Sequence, residues 1–61
     1  MKNDIVEIKC YGEITKMERQ KAIQEFTEGV AFCEGSEKER YSNILVDLIS
    51  GKKFCSDGVD D

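Results

Sequence analysis

Three thiols, Cys10, Cys33 and Cys55, have the widest chemical repertoire of any residues in this chain. Thiolates bind zinc, so one chemistry open to them is a structural zinc site completed by Asp57 or by a second subunit. The spacing argues against it. No CxxC knuckle is present to supply two ligands from one turn, and the three positions lie far apart and are odd in number. Small, reduced, buried cysteines are the preferred reading, and neither a metal nor a cofactor is expected.

The remaining catalytic chemistry is narrowed by what the composition lacks. The chain contains no histidine, which removes the usual general base at neutral pH and excludes Ser-His-Asp and Cys-His machinery within one subunit. The carboxylate pairs Glu25/Glu28 and Glu37/Glu39 stand in solvated, charge-rich stretches where no pKa tuning is expected. Gly12 stands alone ahead of a helical pattern, without the further glycines a phosphate loop needs. Lys52-Lys53-Phe54 and Arg40-Tyr41 come nearest to a stacking platform for single-stranded nucleic acid, yet both read as strand ends. No catalytic residues are assigned, and the expectation is a protein that is not an enzyme.

Charge and length point the same way. With 13 acidic against 9 basic residues the formal net charge is -4, and the basic residues are interleaved with Glu and Asp rather than gathered, so a nucleic-acid partner is disfavoured. No apolar run approaches the roughly 18 residues of a membrane span, and the amino-terminal residues lead into an amphipathic segment without a signal-peptide core. The localisation expected is cytoplasmic, and lysine and isoleucine usage suggests a bacterial source. A chain of 61 residues supports one core, and a thin one.

The elements that must position these residues follow from periodicity. Residues 5–11 alternate, with Val6, Ile8 and Cys10 on one side, which predicts a half-buried strand. Gly12 ends it, and Thr15-Lys16-Met17-Glu18 has the form of a capping box with Ile14 before the cap. Over residues 16–34, Ala22, Ile23, Phe26, Val30 and Cys33 recur at helical spacing, and Gly35 stops the run. The charged stretch 36–40 opens with Ser-x-x-Glu and suits a capped helical turn with local charge pairing.

From Tyr41 to Ile49 two periods fit, a helix ending at Gly51 and a strand with Ile44, Val46 and Leu48 inward. The strand is preferred, because a hairpin with residues 49–51 as its loop sets Leu48 opposite Lys52, Asp47 opposite Lys53 and Val46 opposite Phe54. The fold class predicted is α+β, a small two-layer β-α-β-β with one helix packed on a three-stranded sheet, the alternative being β-α-α-β. Residues 1–56 form one domain in this reading, and residues 57–61 an acidic mobile tail. The predicted core is Val6, Ile8, Cys10, Ala22, Ile23, Phe26, Val30, Ile44, Val46, Leu48 and Phe54.

That core leaves apolar material unused. Ile5, Tyr11, Tyr41, Leu45 and Ile49 fall on the opposite face of the predicted sheet, and Met17 and Phe32 point away from the helix stripe. The candidate interface is therefore Tyr11, Phe32, Tyr41, Leu45 and Ile49. The expectation is a small non-enzymatic interaction or regulatory module acting as a homo-oligomer, with itself (a homodimer) and another protein as partners. Two rivals remain at this point, an acidic decoy of a basic nucleic-acid-binding protein and a cysteine-based zinc module.

Overall fold

The structure is a computed structural model, and it describes residues 4–59. The predicted tail residues Asp60 and Asp61, like residues 1–3, lie outside that range. The fold is α+β, with the strands β1 (Ile5–Cys10) and β2 (Glu13–Glu18), the helices α1 (Arg19–Phe32) and α2 (Ser36–Ile49), and the short strand β3 (Phe54–Ser56). The sheet is mixed and ordered β2-β1-β3, with β1 antiparallel to β2 and parallel to β3.

The alternation of Val6 and Ile8 makes β1 the central strand, and both side chains are buried. Its partner β2 arises from a two-residue turn, Tyr11-Gly12, closed by the pair Cys10/Glu13. Both turn residues have positive φ, 54° at Tyr11 and 78° at Gly12, as a turn of the primed kind requires to match strand twist. The predicted capping box is overturned here: Thr15 and Glu18 are strand residues, and Glu18 makes no side-chain cap bond to α1. Thr15 and Ile14 are β-branched residues beside a tight turn, and pairing with β1 outweighs the local cap.

α1 starts at Arg19, three residues later than the periodicity suggested, and buries Ala22, with Ile23 and Phe26 partly buried against the core. Gly35, at φ 68° and ψ -137°, turns the chain into α2 in a conformation open to glycine.

α2 replaces the predicted strand, so the β-α-β-β arrangement with a hairpin at residues 49–51 is corrected to β-β-α-α-β. The alternative β-α-α-β had the second helix and the last strand but lacked β2. Helical spacing buries Ile44 and Leu48 completely and sets Tyr41 and Leu45 against the core, and each fully buried aliphatic chain contributes roughly 1.5–3 kcal/mol. Val46, which a strand would have turned inward, is 61% exposed on the outer side of this helix. Phe54 likewise leaves the predicted core, because it sits opposite Glu7 on the face of β1 that Val6 and Ile8 do not use.

Arg19 ties the two helices together. Its guanidinium donates to the carbonyls of Leu48 (2.7 Å) and Gly51 (3.3 Å) at the end of α2 and pairs with Asp4, so a cation caps the negative end of that helix. The start of α1 therefore lies beside the end of α2, and the helices run antiparallel.

At Gly29 the helices meet closely. A Cβ built there would lie 2.8 Å from Cδ2 of Tyr41, whose ring is already tilted against Phe26 with centroids 5.5 Å apart. Helix propensity favours alanine over glycine by about 1 kcal/mol, but overpacking costs about 1–3 kcal/mol. Gly29→Ala is therefore expected to lower the thermal midpoint by several degrees, on the order of 1 kcal/mol net. A variant that melts higher than wild type would show that the ring yields freely and that close packing does not explain this glycine.

Candidate functional site

Side chains that could carry function gather in three places. The first is a cleft of about 290 Å³ between α1 and the β1-β2 hairpin. Ile8, Met17 and Phe26 form its apolar wall, Cys10 and Thr15 line it, and Glu13 and Glu25 stand at its rim. Met17 is thus not a surplus residue of the helix, as the sequence suggested, but a strand residue packed against the core. Its chemistry suits an apolar group flanked by carboxylates.

The second is a polar cluster around Asp57, which is 1% exposed. Its carboxylate accepts from the Arg40 guanidinium (2.7 Å), from the Tyr11 backbone N–H (3.2 Å) and from the Val59 N–H (3.1 Å). Its carbonyl accepts from the Asn43 side-chain amide (2.8 Å). Arg40 also lies 4.0 Å over the Tyr11 ring, and the Tyr11 hydroxyl donates to Glu37 (3.2 Å). Burial by itself pushes the Asp57 carboxyl up, but the Val59 and Tyr11 amides and the Arg40 cation outweigh it and hold the group below its ordinary value. The residue assigned by sequence to the head of a tail is therefore the polar centre that joins hairpin tip, α2 and the end of β3.

The third is the edge of the sheet. Glu7 N–H donates to the Lys53 carbonyl and Asp57 N–H to the Lys9 carbonyl, which fixes the β1-β3 pairing. Beyond it, the outward Ser56 N–H is taken by the Asp47 carboxylate (3.2 Å) and the Lys52 N–H by the Asp47 carbonyl (3.2 Å). α2 thus covers part of the β3 edge. On the other side, Arg19 N–H donates to the Asp4 carbonyl, so the hydrogen-bonded pairs along the hairpin are Val6/Met17, Ile8/Thr15 and Cys10/Glu13. The N–H groups of Ile14, Lys16 and Glu18 and the C=O groups of Ile14 and Lys16 consequently face outward from β2, where no strand lies alongside among the described residues, while the Glu18 carbonyl, at the N-cap of α1, accepts the first helical bond.

The five candidate interface residues do not share one face. Phe32 and Ile49 are 84% and 69% exposed at opposite ends of the helix pair, and Tyr11 is half exposed within the Asp57 cluster. Tyr41 and Leu45 are partly buried on the core side of α2. Of the five residues expected on the outer sheet face, Ile5, Tyr11, Tyr41, Leu45 and Ile49, Ile5 alone lies in a strand, where Ile14 and Phe54 are the other exposed apolar residues. The sequence names Asp57 only as a conceivable zinc ligand at the head of a tail and Arg40 only beside Tyr41 at a strand end, and gives Arg19 no role; nothing in their local spacing marks the contacts they make. The alternating Ile14, Lys16 and Glu18 after Tyr-Gly was the available sign of β2.

Cys55 is fully buried in the core, where burial and then the Asp47 charge push its thiol up, and Cys10 and Cys33 are half-buried. Among the described residues no three His, Cys, Asp or Glu side chains are grouped so as to hold a metal ion, and no helix is long and apolar enough to cross a membrane. No protein-family model, no curated protein and no solved structure matches the chain.

Because the folded-state pKa of Asp57 is depressed, its contribution to stability is fully present above the unfolded-state value of about 3.9 and is lost as pH falls through the lower folded value. Asp4, lowered chiefly by its hydrogen bond from Arg19, acts with the same sign. Chemical denaturation is expected to give a flat plateau above about pH 5 and a decline below about pH 4. At neutral pH Asp57→Asn, which leaves Arg40 facing a neutral amide, is expected to cost on the order of 3 kcal/mol. That is a large share of the total expected at this length. A loss under about 0.5 kcal/mol, the level of a surface substitution, would remove Asp57 from the centre of the fold.

Proposed function

We propose that this chain is a small protein-interaction module that works by self-association rather than by catalysis. One observation carries the reading: six apolar residues form the buried core, whereas eight large hydrophobic residues among those described are exposed. A chain of 61 residues gains little from so small an interior, and joining a second copy adds burial that the monomer lacks.

In this reading the domain has two layers, with the helices on the Val6/Ile8 face of the sheet and Ile5, Ile14 and Phe54 on the other. The lack of histidine and the exposure of Glu13 and Glu25 at the cleft support a binding role over acid-base chemistry. The cleft, flanked by carboxylates, suits a partner side chain better than a reaction centre.

Sedimentation equilibrium of the purified chain at tens of micromolar is expected to give about twice the monomer mass of 6.9 kDa. A folded species that stays at 6.9 kDa across the micromolar range would reject self-association.

A further inference from the structure

We infer that the second copy is received along the open edge of β2, as an antiparallel strand centred on Met17. The inference rests on the self-association just proposed and names the surface that carries it.

An unpaired strand edge is a template for another strand, and natural sheets blunt such edges with proline, bulges, charge or covering elements. The two edges differ: α2 covers part of one, and the other is guarded only by the charges of Glu13, Lys16 and Glu18. Asp47 of α2 occupies the Ser56 N–H beyond β3, whereas β2 runs for six residues with no proline, and its residues pair with β1 in unbroken register. Five of its six residues are exposed, and the outward backbone groups are the N–H groups of Ile14, Lys16 and Glu18 and the carbonyls of Ile14 and Lys16.

Which strand fits is decided by the side chains that alternate along the edge. Antiparallel pairing about a two-fold axis normal to the sheet matches residues of the same face, so the possible registers differ by steps of two. Centred on Lys16, the pairing sets Lys16 against the partner's Lys16, which is repulsive. Centred on Thr15, it sets Lys16 against Ile14 of the partner subunit and Glu13 against the partner's Met17, and no charge finds an opposite. Centred on Met17, it sets Lys16 against the partner's Glu18 and Glu18 against the partner's Lys16, with the two Met17 side chains together on the core face. That register makes two opposite-charge pairs and one apolar pair, and the Glu18 N–H of each copy faces the outward Lys16 carbonyl of the other.

Glu18 is free for this role because it makes no cap bond to α1, and Lys16 reaches Glu7 across the hairpin at 4.0 Å while still 72% exposed. The Met17 pair also lies between the two clefts, each of which has Met17 in its wall. The product is a six-stranded sheet in which both clefts open on the same face.

The test is sedimentation equilibrium on wild type, Glu18→Lys, Lys16→Glu, the double variant K16E/E18K, and Lys16→Pro, with circular dichroism to verify folding. Each single reversal turns both charge pairs repulsive and is expected to weaken the dimer roughly tenfold or more, whereas the double variant restores opposite pairing and is expected within about threefold of wild type. Lys16→Pro removes an N–H that faces away from β1 and the exposed Lys16–Glu7 pair, so the chain is expected to stay folded and become monomeric. If that variant unfolds, the charge series alone decides. A wild-type monomer would reject self-association itself. A wild-type dimer that tolerates both single reversals, or whose loss the double variant does not rescue, would overturn the β2 edge while leaving self-association standing.

Discussion

A single buried carboxylate organises this fold. Asp57 lies where the end of β3, the tip of the β1-β2 hairpin and the middle of α2 converge, and it takes donors from each: its near neighbour Val59, the Tyr11 backbone and the Arg40 guanidinium. An ionised group in an interior is tolerated only with such company. The arrangement explains Tyr11, a non-glycine residue at φ 54°, in a turn that elsewhere favours asparagine or glycine. Its ring under Arg40, its hydroxyl on Glu37 and its N–H on Asp57 hold a strained conformation from three sides. Aromatic bulk at the hairpin tip thus replaces backbone ease with contacts to α2.

The opposite end of the helix pair repeats the device with Arg19, which reaches Asp4 ahead of β1 and the last carbonyls of α2. Between these two clamps lies a core of Val6, Ile8, Ala22, Ile44, Leu48 and Cys55. Hydrophobic burial on that scale is modest. The two sets of polar contacts each join elements distant in sequence, the hairpin tip to α2 and the start of α1 to the end of α2.

How much of this was legible in the sequence depended on the range of the interaction involved. β1 and the body of α1 were readable because their apolar residues recur at periods of two and 3.6, and Ile44 and Leu48 were assigned inward in either reading of their segment. The strand assigned to Ile44–Leu48 failed because a spacing of four is compatible with both periods. The tie is broken by the pairing of residues 54–56 with β1, forty-odd positions away in the chain. β2 was masked by Thr15-x-x-Glu18, which has the form of a helix cap. The candidate site was less legible still. Asp57 sits among residues of tail-like composition, and its partners Tyr11 and Arg40 lie 46 and 17 positions distant; no local pattern encodes such a meeting.

The asymmetry of the two sheet margins governs what can be built from this protein. Asp47 takes one outward N–H of β3, so among the described residues hydrogen-bonded growth is more open along β2. When two copies meet at β2 across a two-fold axis, each occupies the more open border of the other. Strand addition there favours a closed pair over a growing array, because the outer flanks left behind are the β3 margins with α2 against them.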